Sequence, residues 1–123
     1  MKKHKAMLVD DLPELRAMMT SNLRHLGFVV ESFASAPDAL SAIGNGYAPG
    51  LVVTDYEMGD GLKGDDLITA LRSLLTDCFY ILWTAHDHGK QIAEAVSASW
   101  LSKSSDRGRL ASLLMEAGYE QHP

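Results

Sequence analysis

Five polar side chains in this sequence stand at the end of short apolar runs or directly after them. They are three carboxylates, one hydroxyl and one ammonium: Asp10, Asp11, Asp55, Thr84 and Lys103. Three carboxylates held within a few ångströms repel one another and raise one another's pKa values. A hard divalent cation relieves that repulsion, and oxygen ligands completed by water suit Mg²⁺. If the fold brings these side chains together, the sequence predicts a magnesium site.

The same five residues can be assigned roles in phosphoryl transfer. A carboxylate can act as a nucleophile and form an acyl phosphate, and Asp55, from the middle run, is the natural choice. Asp10 and Asp11 then hold the metal, directly or through water, although taken alone they would more simply cap a helix. Because a transferring phosphoryl group carries negative charge, Lys103 would pair with one of its oxygens and Thr84 would donate a hydrogen bond to another.

Such a site needs a fold that brings residues that are distant in the sequence to one edge of a β-sheet. Short continuous apolar runs are typical of strands that are buried on both faces. The strand candidates are residues 6–9, 28–33, 51–53, 79–83 and 100–101. The run 28–33 is more mixed, which favours a position nearer an edge of the sheet.

Segments with helical periodicity lie between these runs. The positions that mark them are Leu15, Met19, Leu23 and Leu26, then residues 36–43, then Leu67, Leu71 and Leu74 or Leu75, then Ile92, Ala95 and Val96, and finally Leu110, Leu113 and Leu114. We also assign Met18 and Met19 to the core as gap fillers. The alternation predicts an α/β fold with right-handed crossovers, a parallel sheet covered on both faces, and chemistry beyond the carboxyl ends of its strands.

Composition and charge limit the classes of function. The chain has 123 residues, a formal charge of −5, one cysteine (Cys78) and an apolar fraction of 46%, which suits a single globular domain over residues 1–123. Its lysines and arginines are scattered, which disfavours a nucleic-acid surface. The longest strongly apolar run, 78–83, is too short to cross a bilayer, and the start predicts no signal peptide. We therefore expect a cytoplasmic protein with no direct nucleic-acid contact and no membrane insertion.

The motifs at the strand ends resemble those of the response-regulator receiver domain, the CheY-like family. The matching segments are Leu8-Val9-Asp10-Asp11, Val52-Val53-Thr54-Asp55-Tyr56-Glu57-Met58, Leu82-Trp83-Thr84-Ala85 and Trp100-Leu101-Ser102-Lys103. Each motif is weak alone, but four in this order cover essentially the whole chain. The resemblance implies a flavodoxin-like (βα)5 three-layer sandwich with a five-stranded parallel sheet of order 2-1-3-4-5.

The resemblance also implies an activity. A phosphohistidine on a sensor histidine kinase or a histidine phosphotransfer protein would pass its phosphoryl group to Asp55, and this would switch an interaction with an unknown downstream protein. The implied Mg²⁺ ligands are Asp10, Asp11, Asp55 and the backbone carbonyl of Glu57. Such a domain assists its own phosphorylation and dephosphorylation but is otherwise no enzyme. Thr84 would shift toward the phosphoryl group on activation, and Trp100 takes the place of the family's switch aromatic, although packing is an equally good interpretation.

Three features depart from the pattern of that family. Ser104 stands where receivers usually have proline, so the Lys103–Ser104 peptide is either trans or a cis bond that costs about 2.5–4 kcal/mol. Gly59 replaces a second usual proline, and the glycine-rich loop 59–64 looks about one residue longer than usual. Only 18 residues separate Thr84 from Lys103, which predicts a short fourth helix or a short loop before it, and with it an unusual output face.

Two side chains are candidates for tuning the lifetime of an acyl phosphate. Glu57 and His86 each lie two residues past a site residue, where they would flank the phosphoryl group and orient or exclude the hydrolytic water. As a pair, His86 and His88 are more simply interpreted as solvated loop histidines than as metal ligands.

Alternative functions remain at this point. Since only residues 118–123 follow the last predicted helix, we expect a stand-alone receiver that signals through a partner protein or a phosphate relay. The main alternative is a pseudo-receiver that binds partners without turning over phosphate, which Ser104 and Gly59 slightly favour. A phosphatase of the haloacid dehalogenase type would need Asp-x-Asp after the first strand, and Leu12 stands at the position of the second aspartate.

Overall fold

The computed structural model describes residues 4–59 and 61–119, which form five strands that alternate with five helices. The strands are β1 (Lys5–Val9), β2 (Val29–Phe33), β3 (Leu51–Thr54), β4 (Phe79–Thr84) and β5 (Ser99–Ser102). The helices are α1 (Pro13–His25), α2 (Ala36–Gly44), α3 (Gly64–Arg72), α4 (Gly89–Ala95) and α5 (Arg107–Glu116). Every predicted strand and helix is present, so the predicted alternation is confirmed.

The five strands form one parallel sheet in the order β2-β1-β3-β4-β5, as predicted. The residues of β3 are all buried, and those of β1 and β4 almost all, because these strands are covered on both faces. By contrast, β2 contains exposed and half-buried residues only. Its position at the edge of the sheet agrees with its mixed sequence.

Two apolar clusters cover the two faces of the sheet. One joins Leu8 of β1 to residues of α1 and α5, such as Leu23 and Leu114. The other joins Val52 of β3 to residues of α2, α3 and α4, such as Leu67. Because successive side chains of a strand point to opposite faces, each central strand contributes to both clusters. The predicted three-layer sandwich is therefore confirmed.

Some apolar residues of the predicted helices lie outside the core, against expectation. Met18 is 42% exposed although its neighbour Met19 is buried, because adjacent residues of a helix point about 100° apart and only one of them faces the sheet. Leu74 is also exposed, since α3 ends at Arg72 and the chain has already left the helix. Of the two alternatives for that position, Leu75 is the one that packs against the core.

The fourth helix is short, which is one of the two alternatives that the spacing predicts. It has seven residues, Gly89–Ala95. Arg72 of α3 holds the chain just after it, because its guanidinium donates hydrogen bonds to the carbonyl oxygens of Val96 (3.2 Å) and Ser97 (2.7 Å). None of the helices in the described part of the chain combines the length and the apolar character needed to cross a bilayer.

Candidate functional site

The sheet brings the predicted site residues to one edge. The parallel register of β1 with β3 makes Asp10 and Asp55 the first residues after adjacent strands. The register of β4 with β5 places Thr84 beside the residue that precedes Lys103. An open depression at this edge is lined by Asp11, Asp55, Glu57, Thr84, His86 and Lys103, among others. Trp100, which lies in β5, packs on the α4 side of the sheet instead.

The three predicted carboxylates come together at this edge. Asp10, Asp11 and Asp55 each offer a carboxylate oxygen, and these oxygens lie within 4.8 Å of one another. Asp10 is fully buried and Asp55 is 8% exposed, whereas Asp11 is open to solvent. The ammonium of Lys103 brings one positive charge to three carboxylates. The excess of negative charge and the oxygen donors fit a divalent cation such as Mg²⁺.

Asp10 is the most firmly held member of this cluster. One carboxylate oxygen accepts a hydrogen bond from the backbone N–H of Leu12 (2.9 Å), and the other forms an ion pair with Lys103. The guanidinium of Arg16 donates to its backbone carbonyl (2.8 Å). The residue at the N-cap position of α1 is Leu12, with no side-chain cap, so neither aspartate serves as the helix cap. Both oxygens of Asp10 already have protein partners, which makes the exposed Asp11 the more accessible ligand.

The carboxyl group of Asp55 has a raised pKa. Burial is the largest cause and raises the pKa, and the nearby charges of Asp10 and Asp11 add to the rise. The Lys103 ammonium, 3.7 Å from Oδ2, and the Tyr56 N–H, 2.7 Å from Oδ1, both lower it. The balance brings the pKa of Asp55 to about 6. In the metal-free protein the group is therefore mostly ionised at neutral pH, and the ionised carboxylate is able to act as a nucleophile.

A glycine that the sequence analysis did not single out fixes the loop after Asp55. Gly64 begins α3, and its N–H donates to the carbonyl of Tyr56 at 2.8 Å. A Cβ at this position would lie 2.0 Å from the backbone carbonyl oxygen of Asp55. Because glycine is a poor helix former, its presence at the start of a helix was the available signal for a close backbone approach. The loop before it contains Gly59 and Gly61 at positive φ (77° and 102°). Residue 60 lies outside the described residues.

The backbone that carries Lys103 forms a turn without proline. The described peptide bonds include no cis bond, so Lys103–Ser104 is trans. The hydroxyl oxygen of Ser102 accepts from the N–H of Ser104 at 3.2 Å and lies 2.9 Å from its hydroxyl. The ammonium nevertheless reaches the carboxylate of Asp10 and lies 4.0 Å from the centre of the Trp83 ring. The ammonium of Lys103 therefore lies in the site although the usual proline is absent.

Thr84 and His86 are linked at the end of β4. The hydroxyl oxygen of Thr84, a buried residue, accepts a hydrogen bond from the backbone N–H of His86 at 3.1 Å. The imidazole of His86 is half-buried and lies edge-on to Tyr56, with ring centres 5.2 Å apart. Its Nδ1 accepts from the N–H of His88 (3.0 Å). His88 is thus exposed, as expected of a solvated loop histidine, whereas His86 is only partly open to solvent. Neither belongs to the metal-ligand group found among the described residues.

Trp100 and Thr84 both lie close to a second glycine, Gly89. The indole Nε1 of Trp100 is buried and has no hydrogen-bond partner within the described residues. A Cβ on Gly89 would lie 2.5 Å from this nitrogen and 2.8 Å from the Thr84 methyl group. Both side chains therefore pack against the space that a larger residue would fill. The resemblance implies a movement of Thr84 and a switch role for Trp100, and both side chains lie next to Gly89.

Comparison with known proteins supports the resemblance to receiver domains. The family model for the response regulator receiver domain matches residues 6–115. The C4-dicarboxylate transport transcriptional regulatory protein DctD of Rhizobium meliloti (strain 1021) is 36% identical over 89 residues, or 72% of this chain. The chain spans only 19% of the length of that relative.

Solved structures share the fold at low sequence identity. The N-terminal domain of a response regulator/sensory box/GGDEF three-domain protein from Carboxydothermus hydrogenoformans has a TM-score of 0.82 and 22% identity, covering 92% of each chain. The chemotaxis protein CheY4 of Vibrio cholerae has a TM-score of 0.79 and 24% identity, covering 93% of this chain and 98% of that one.

Proposed function

This chain belongs to the response regulator receiver family, and from that premise we propose that it accepts a phosphoryl group from a phosphohistidine onto Asp55. Receiver domains are signalling modules of two-component systems. The observation that carries the proposal is the convergence of three carboxylates and one ammonium at the carboxyl edge of the sheet. The donor would be a sensor histidine kinase or a histidine phosphotransfer protein, and the output would be an altered interaction with a downstream protein.

The transfer itself uses Asp55 as the nucleophile. An ionised oxygen of its carboxylate attacks the phosphorus, and the new O–P bond forms as the P–N bond to the histidine breaks. The leaving imidazole nitrogen keeps the electron pair and then takes up a proton. The Tyr56 N–H, which donates to Oδ1 at 2.7 Å, holds the carboxylate in a fixed orientation for this attack.

Lys103 and Thr84 stabilise the charge on the transferring group. The ammonium lies 3.7 Å from Oδ2 of Asp55, close to where the phosphoryl oxygens would arrive. The Thr84 hydroxyl accepts from the N–H of His86, and a hydroxyl that accepts still has its own proton to donate. The Lys103 ammonium lies beside Asp55 before the reaction, and a preorganised cation of this kind contributes strongly to catalysis, whereas the Thr84 hydroxyl would turn toward the phosphoryl group.

The acidic cluster would hold the Mg²⁺ that this chemistry requires. Asp11, with the open depression beside it, is accessible to a hydrated ion, and Asp10 and Asp55 complete the carboxylate set. The backbone carbonyl of Glu57 is the further ligand that the family resemblance implies. When bound, the ion would neutralise charge between the carboxylates and the phosphoryl oxygens.

Phosphorylation would act on the rest of the domain by shifting a population. A phosphoryl group adds roughly −2 charge at Asp55, and Thr84 is the adjacent donor that would turn toward it. Because Thr84 and Trp100 both pack against Gly89, such a movement changes the packing at the start of α4. The short α4 supports an output face that differs from the family's usual one. We include in the proposal that residues 1–123 act as one receiver domain in the cytoplasm, without direct nucleic-acid contact.

Intact mass measurement tests the proposal directly. The wild-type chain is incubated with Mg²⁺ and a small acyl-phosphate donor, beside Asp55→Asn and a control variant, Asp87→Asn, whose exposed aspartate follows the neighbouring strand β4. We expect one base-labile phosphate adduct on the wild type and on the control, and none on Asp55→Asn. A wild type that takes up no phosphate and binds no Mg²⁺ would instead support the pseudo-receiver alternative.

A further inference from the structure

We propose that Trp83 is a positioning residue for Lys103, and that its indole face fixes the ammonium group beside Asp55. The inference rests on the proposed phosphoryl transfer, in which Lys103 is a charge-stabilising group. The nitrogen of Lys103 lies 4.0 Å from the centre of the Trp83 ring. A cation within about 6 Å of the face of a tryptophan is attracted by the electrons of the ring, and most strongly when little water separates them.

The strand register explains why the two side chains meet. Trp83 of β4 is the register partner of Leu101 of β5. Residues two apart on a strand point to the same face, so Lys103, just past the end of β5, continues in the direction of Leu101. An indole beside Leu101 is long enough to extend under the lysine that follows it.

Trp83 is held too tightly to move out of the way. Its side chain is 1% exposed and belongs to the apolar cluster formed with α1 and α5. Close-packed interiors leave a side chain of this size little freedom. The ring therefore acts as a rigid wall on one side of the ammonium, while the carboxylate of Asp10 attracts it from another.

This support matters because the backbone at Lys103 lacks the proline that is usual in the family. A lysine has four rotatable bonds, and its ammonium is a mobile point charge unless its surroundings restrict it. The Lys103 side chain is only 14% exposed, so little water surrounds it. Unlike a second carboxylate, an aromatic face presents no anionic oxygen that competes for the ammonium. The ring can therefore hold the ammonium in place while leaving it available to a phosphoryl oxygen.

A series at position 83 separates this role from simple core filling. Trp83→Phe keeps an aromatic face, whereas Trp83→Leu removes it. Ile81→Ala is the matched control, since Ile81 is fully buried in the same strand and the same apolar cluster but precedes the site. Each chain is examined for the chemical shift of the Lys103 side-chain protons, assigned by their loss in Lys103→Met, and for its rate of phosphorylation by a small acyl phosphate with Mg²⁺.

We expect the protons next to the Lys103 ammonium to be shifted upfield by the ring in the wild type and, less strongly, in Trp83→Phe. In Trp83→Leu the shift disappears and phosphorylation slows about tenfold per folded molecule. Ile81→Ala loses stability but keeps both the shift and the rate. A wild type without an upfield shift overturns the inference, as does a folded Trp83→Leu or Trp83→Phe variant that loses the shift but keeps the wild-type rate.

The chemical shift of Lys103 and the uptake of phosphate test two different proposals. If the wild type takes up no phosphate, the proposed phosphoryl transfer is wrong, because that outcome does not depend on position 83. An upfield shift that Trp83→Leu abolishes would, even then, support the placement of Lys103 by Trp83.

Discussion

The ammonium nitrogen of Lys103 lies 3.7 Å from Oδ2 of Asp55, but this contact does not keep the pKa of the aspartate low. Burial opposes ionisation more strongly than the ammonium favours it, and the charge of Asp10 adds to the rise. The pKa of Asp55 is therefore about 6. The ionised nucleophile is held in the folded state at the expense of stability, and the direction of that effect can be tested.

Asp55→Asn is expected to stabilise the metal-free protein at neutral pH. Because the pKa of Asp55 rises from 3.8 to about 6 on folding, the folded state binds a proton that the unfolded chain has already lost between those values. Wild-type stability therefore falls as the pH rises through this window. Asparagine carries no such charge, so urea unfolding with a chelator should show a gain on the order of 2 kcal/mol at pH 7.5, shrinking toward pH 4. Asp87→Asn is the control, and an equal gain at both pH values would contradict the burial of the Asp55 charge.

Gly64→Ala should damage the loop that carries Asp55. The new Cβ would lie 2.0 Å from the Asp55 carbonyl oxygen and 2.9 Å from the side chain of Leu82, so the start of α3 must move. We expect a loss of about 1–3 kcal/mol in the free energy of unfolding and slower phosphorylation. Gly44→Ala is the matched control, because Gly44 also lies in a helix and a Cβ there meets nothing within 4 Å. That variant should gain up to about 1 kcal/mol. Equal stability of the two variants would contradict the close approach.

The fold and the convergence of the candidate site residues were predictable from the sequence for one physical reason. Parallel strands share a carboxyl edge, so the residues at strand ends, such as Asp10, Asp55 and Thr84, must lie near one another whatever the details of packing. Strand ends can be located from apolar runs to within a residue or two. The spacing between Thr84 and Lys103 predicted a short fourth helix or a short loop before it, and could not decide between them.

Contacts between elements that are distant along the chain were not predictable. The contact of Trp83 with Lys103 depends on the register of β4 with β5, and the roles of Gly64 and Gly89 depend on which backbone atoms approach them. Met18 was wrongly assigned to the core together with Met19, because only one of two adjacent residues of a helix can face the sheet. Mg²⁺ binding and the extent of the domain over residues 1–123 stay predictions.

Glu57 and His86 are expected to change the lifetime of the phosphoryl group in opposite directions. The exposed carboxylate of Glu57 lines the depression and can orient an attacking water, so Glu57→Ala should slow dephosphorylation severalfold. The imidazole of His86 packs against Tyr56 and covers part of the depression, so His86→Ala should admit water and accelerate dephosphorylation severalfold.

Loss of the phosphate adduct with time, followed by intact mass, measures both effects. His88→Ala is the control, because His88 contributes its backbone N–H to His86 and an alanine keeps that group. Unchanged dephosphorylation in both variants would remove the tuning hypothesis.

Gly89→Ala should decide between the switch and packing interpretations of Trp100. The new Cβ would lie 2.5 Å from Nε1 of Trp100 and 2.8 Å from the Thr84 methyl group, so the rigid indole must turn outward. We expect tryptophan emission to shift to longer wavelength and, because Thr84 is displaced as well, phosphorylation to slow.

Subtracting the emission of Trp100→Phe isolates the signal of Trp100, and Gly44→Ala controls for the added methyl group. An indole that turns outward without any change in phosphorylation would show that Trp100 only packs. Unchanged emission with wild-type stability would show instead that Gly89 does not hold the indole of Trp100 in place.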